Sequence, residues 1–66
     1  MNASNQKQLD RATAHGRGSL LKALAIIHRA SNAKTQREIE DMIFSACAGS
    51  EFSWSKSGAL LHCSEA

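Results

Sequence analysis

This 66-residue chain predicts an all-α fold, a small helical hairpin or three-helix domain, with a short C-terminal β-hairpin as the open variant. Three observations point there. Proline, valine and tyrosine are absent while Ala, Leu, Lys, Gln and Glu are plentiful, a balance that favours helix over sheet. The segment Leu20–Ala30 is apolar around most of a helical circumference. Thr35 followed by Glu38 has the spacing of a capping box, in which the hydroxyl accepts from the N3 amide and the glutamate reaches back to the cap amide.

Taken in order, Ser4 or Asn5 offers a cap for a first helix through Gln6, Leu9, Ala12 and Ala14. Gly16-Arg17-Gly18 then admits two readings. The small or apolar positions 9, 12, 16, 20, 23 and 27 keep helical spacing, so one long kinked helix costs roughly 1 kcal/mol per glycine. The other reading is a break, with Ser19 as a fresh N-cap. Leu20–Ala30 follows as a helix in which 8 of 11 residues are apolar, Lys22, His28 and Arg29 being the exceptions. So short a chain has little material to cover such a helix. Either the C-terminal segment folds over it or a second chain does, and a homodimer or tightly bound partner is expected.

Ser31-Asn32-Ala33-Lys34 reads as the turn of an αα-hairpin. The helix capped at Thr35 presents Ile39, Met42, Ile43, Ala46 and Cys47 on one stripe, with Glu38, Glu40 and Asp41 crowding its first two turns, and Gly49 is its natural C′ residue. In the tail, Phe52-Ser53-Trp54-Ser55 alternates, Lys56-Ser57-Gly58 suits a turn, and residues 59–63 suit a returning strand. The same letters also make a short helix from Ser55 or Ser57 carrying Leu60 and Leu61. The helix is favoured, because a lone hairpin is marginal in water.

Residues 1–66 form one domain. Of 28 hydrophobic residues 11 are alanine, leaving 17 larger side chains for a core. A domain of this size buries only about 60% of its unfolded surface and is marginal alone. Cys47 and Cys63 permit one bridge at most, and both are read as reduced thiols in a cytoplasmic protein, Cys47 as a small core residue, with a Cys47–Cys63 disulfide as the alternative in an oxidising compartment. Residues 2–18 lack the apolar run of a secretory signal, and no stretch is long enough to span a bilayer, so no membrane association is expected.

Charge is unevenly placed. Residues 1–37 carry seven Lys/Arg against Asp10, a balance of +6, and residues 38–66 carry Lys56 against five acids, a balance of −4. The basic half suits an acidic surface or nucleic acid, or simply attracts the acidic half.

Chemistry-bearing patterns are sparse. Cys47 stands alone, His62-Cys63 are adjacent and His15 and His28 are too far apart, so no zinc-ligand spacing exists and no metal or cofactor is expected. Cys63 beside His62 does not place a base against a nucleophile, since adjacent side chains rarely converge. Gly16-Arg17-Gly18 lacks the strand and third glycine of a phosphate loop. No enzymatic activity is expected.

The Leu20–Ala30 helix, a short loop and then Thr35-Gln36-Arg37-Glu38-Ile39 resembles the first two helices of bacterial helix-turn-helix regulators. The resemblance covers about 25 residues and implies DNA binding. The chain departs from it after residue 43, where no helix rich in Arg, Asn or Gln follows. Lys7, Arg11, Arg17, Lys22 and Arg29 are then the candidates for phosphate contacts. The leading expectation is a small non-enzymatic regulator or inhibitor that binds another protein through an acidic or apolar surface on that protein. By analogy of size and character, such proteins are carried by phages and other mobile elements. The faces of Leu20–Ala30 left uncovered and the Phe52–Trp54 region are its candidate surfaces, rimmed by Arg17, Lys22 and Arg29, with Trp54 as a pocket anchor or as core filler.

Overall fold

The computed structural model describes residues 2–55 and 61–63. Three helices and a two-stranded antiparallel hairpin follow one another: α1 (Ala3–Ala14), α2 (Arg17–Arg29), α3 (Ala33–Ala46), β1 (Phe52–Trp54) and β2 (Leu61–Cys63). α2 is the hub, packing on α1, α3 and β2.

Asn2, one turn earlier than expected, caps α1: its side-chain oxygen accepts from the Asn5 amide at 2.8 Å. Asparagine is among the strongest N-cap residues, and the earlier start adds helical hydrogen bonds. The first helix ends at a true break. Gly16 sits at φ 108°, ψ 173°, a backbone region essentially reserved for glycine, and is itself the N-cap of α2. Neither the continuous kinked helix nor the Ser19 cap therefore forms. Gly18 lies within α2 with nothing near its missing Cβ, so the two glycines differ in kind. Gly16→Ala is expected to lower stability by about 1–3 kcal/mol, whereas Gly18→Ala raises it by up to ~1 kcal/mol. Urea midpoints of the two variants check this, and a shift of the same sign in both would contradict it.

Asn32 also supersedes the Thr35 capping box. Its side chain accepts from the Thr35 amide at 3.0 Å, and α3 begins at Ala33, inside the expected turn. Asparagine outranks threonine as a cap, and Thr35 becomes the N3 residue whose amide is satisfied. The acids then fall beyond the first turn, where the helix dipole favours them less. Two bonds tighten the α2–α3 link: Ser31 Oγ donates to the Ile27 carbonyl at 2.7 Å, and Gln36 Nε2 to the His28 carbonyl at 2.9 Å.

At its C-terminus α3 closes with paired bonds, Gly49 N–H to Phe44 O and Ala48 N–H to Ser45 O, each 3.0 Å. This is a Schellman arrangement in which Ala48, not Gly49, takes the C′ position, at φ 56°. A left-handed alanine costs roughly 1 kcal/mol, so Ala48→Gly is expected to raise the thermal midpoint by several degrees. An unchanged or lowered midpoint on calorimetry would count against that geometry.

Where the favoured C-terminal helix reaches described residues, Leu61–Cys63 form a strand instead. Phe52 pairs with Cys63, Ser53 with His62 and Trp54 with Leu61. Lys56-Ser57-Gly58 and Leu60, assigned above to a turn or a short helix, lie outside the described residues. Two anchors compensate for the weakness of an isolated hairpin. Leu61 is buried against the core, and Cys47 at the end of α3 is disulfide-bonded to Cys63 with Cα atoms 5.3 Å apart. The reading of both cysteines as reduced thiols is thereby corrected. Hairpin pairing carries Cys63 back to the helix end, which spacing alone does not show.

The core comprises Leu9, Leu21, Leu24, Ala25, Ile27, Ile39, Ile43, Cys47 and Leu61. Of the stripe expected on α3, Ile39, Ile43 and Cys47 are buried, while Met42 stands 36% exposed. The chain itself covers Leu21, Leu24, Ala25 and Ile27 of the middle helix, leaving Ile26 48% exposed.

Candidate interaction surfaces

On α2, core and surface faces oppose one another by helical geometry. Leu21, Leu24 and Ile27 point inward, so residues 19, 22, 23 and 26, roughly half a turn around, form an outward stripe. α1 buries only Leu9, and residues 4, 7, 8, 11, 12 and 15 form its own outward stripe. Because α1 and α2 fold back on each other through the glycine break, the two stripes meet in an open cleft of about 500 Å³.

Ser4, Lys7, Gln8, Arg11, Ala12 and His15 line one wall of the cleft, and Ser19, Lys22, Ala23 and Ile26 the other. No carboxylate is among them. The one acid of α1, Asp10, faces away and accepts from Gln6 Nε2 at 3.0 Å. Lys7, Arg11 and Lys22 thus place three positive charges around a floor of Ala12, Ala23 and Ile26. Beyond Gln8 and Ile26 the cleft continues toward Asn2, Asn5, Ala30 and Ser31, where no charged side chain lines it.

The structure therefore divides the residues singled out in the sequence. Lys7, Arg11 and Lys22 converge on the α1/α2 cleft, whereas Arg17 and Arg29 are exposed on α2 outside its lining. Phe52 and Trp54 are half-buried on the hairpin and pack against the core. Trp54 lies tilted over the His28 ring at 4.8 Å between centroids, and Phe52 meets it edge-on at 6.3 Å. The His28 Nε2 atom is itself buried. Glu40 brings a carboxylate oxygen within 3.4 Å of it, an ion-pair distance without hydrogen-bond alignment. This aromatic cluster fastens the hairpin to α2.

Ser4, Gln8, Ala12, His15 and Ser19 are the cleft residues that sequence reasoning missed, whereas Ala23 and Ile26 lie on the face of Leu20–Ala30 expected to stay uncovered. Ala12 and Ala23 belong to the 3–4 spacing of positions 9, 12, 16, 20, 23 and 27, which by itself does not tell an outward face from an inward one. A shallower surface on the α3 side joins Leu20, Met42 and Ala46 with Asp41 and Ser45. Among the described residues, no three His, Cys, Asp or Glu side chains gather closely enough to hold a metal ion, and no helix is long and apolar enough to cross a membrane. Cys63 is held in the disulfide and presents no thiolate beside His62. No protein-family model, curated protein or solved structure matches this chain.

Proposed function

We propose that this chain is a small non-enzymatic regulator or inhibitor that acts by binding another protein through the α1/α2 cleft. The observation that carries this reading is the combination of a cationic rim (Lys7, Arg11, Lys22) with an apolar floor (Ala12, Ala23, Ile26). Protein interfaces pair an apolar centre with a polar rim. A phosphate backbone uses the rim and gains nothing from the floor. The rim alone also suits the rival reading, a DNA-binding regulator, so the test includes both.

Photo-crosslinkers at Gln8 and Ser19, inside the cleft, are compared in cell lysate with one at Lys34 on α3. Retention on random duplex DNA at low salt is measured alongside. The expected result is one protein crosslinked from the cleft positions only, lost in the double variant Lys7→Glu/Arg11→Glu, with no retention on DNA. Crosslinking from all positions alike, or from none, overturns the reading. Salt-sensitive DNA retention that the double variant abolishes moves the function to the rival.

A further inference from the structure

We infer that the occupant of the cleft is an acidic amphipathic helix of about three turns, its carboxylates gathered in one half and a large apolar side chain seated on Ile26. This deepens the protein-binding reading and rests on it.

Length comes first. From Ser4 to His15 the α1 wall rises about 17 Å at 1.5 Å per residue, which matches eleven or twelve residues of helix. Secondary structure comes next. Both walls are helices whose backbone groups bond within the helix, so the cleft offers no free sheet edge. An extended peptide laid there leaves its backbone groups without protein partners. A helix satisfies its own backbone and brings only side chains to the contact, the helix-in-groove mode. Ala12 and Ala23 on the floor supply the shallow relief that lets a third helix approach.

Charge then sets the pattern along the occupant. Arg11 and Lys22 stand toward the α1–α2 turn, Lys7 stands nearer the middle, and the far end is lined by Asn2, Asn5 and Ser31. A uniformly acidic helix wastes half its carboxylates on that uncharged end. A basic helix meets only repulsion. The complementary ligand is acidic over the turn end, apolar at the centre opposite Ile26, and neutral beyond it.

The test uses fluorescein-labelled 14-residue synthetic peptides and the intact oxidised protein. The reference peptide carries three Glu at i, i+3 and i+4 in its first half, one central Leu at i+7 and a neutral Ala/Gln remainder. Anisotropy titration at low salt is expected to show saturable binding, with amide shift changes confined to α1 and α2 and including Ile26. Replacing Glu by Lys, replacing the Leu by Ala, and inserting a central proline are each expected to weaken binding at least tenfold. So are the protein variants Arg11→Glu/Lys22→Glu and Ile26→Ser, all at exposed positions, with their helical circular dichroism confirming the fold. Equal affinity for the proline-broken peptide overturns the helical occupant, and equal affinity for the Lys peptide overturns the acidic one. Failure of the reference peptide to bind, while crosslinks from Gln8 and Ser19 persist, overturns this inference and leaves the protein-binding reading standing. Loss of both removes both.

Discussion

Leu24→Ala is expected to cost about 2–5 kcal/mol, the range for emptying a fully buried leucine site. Leu24 is at 0% exposure in the helix that contacts every other layer of the fold. A chain this size has a total stability of roughly 3–10 kcal/mol by the usual per-residue scale, so the substitution removes a large share of it. The thermal midpoint should fall by about 8 °C or more, at about 4–8 °C per kcal/mol for a domain of this length. Ile26→Ala, two residues away on the exposed face, should cost under about 1 kcal/mol, in line with surface substitutions. Denaturant titration followed by far-ultraviolet circular dichroism reads both. Similar midpoints for the two variants would mean that the inward and outward faces of α2 are misassigned.

Opening the Cys47–Cys63 disulfide is expected to cost about 3 kcal/mol, because the bond closes a loop of the length for which chain entropy gives that figure. The effect should be local before it is global. Strand β2 is held to α3 by the bond and to the core by Leu61, whereas α2 packs on both α1 and α3 without it. The only tryptophan, Trp54, sits on the partner strand against His28, so it reports hairpin release directly. Under dithiothreitol, and in Cys47→Ala/Cys63→Ala, tryptophan emission should shift to longer wavelength at a lower temperature than the loss of helical signal. Coincident transitions at the oxidised protein's midpoint would show that the bond contributes nothing.

These two expectations mark where sequence reasoning reached and where it stopped. The helical segments were legible because helix signals are local: apolar spacing on α2 and α3, an acceptor side chain at the starts of α1 and α3, glycine at the break between α1 and α2. Their boundaries slipped by a turn or less for an equally local reason. Several cap residues competed within four positions, and Asn2 and Asn32 prevailed over Ser4, Asn5 and Thr35. The hairpin was different. Phe52–Trp54 and Leu61–Cys63 have weak strand character, and the argument against an isolated hairpin was sound for an isolated hairpin. In the folded chain the hairpin is not isolated, because Cys63 is covalently linked to Cys47 at the end of α3 across sixteen residues of sequence.

The cleft has the same history. Seven cations in the first 37 residues declared a basic half, and Lys7, Arg11 and Lys22 were named there as candidates for nucleic acid. Which cations act together depended on how α1 folds back on α2. Arg17 and Arg29 belong to the same helix as Lys22 yet stand outside the cleft.

By itself the amino-acid sequence determined the helical character of this protein, its small size and its division into basic and acidic halves, because propensity, capping and charge act over a few residues. Only the tertiary structure decided the disulfide-held hairpin and the apolar floor beneath the cations. Each of these depends on side chains brought together by packing, whose separation along the chain carries no local signal.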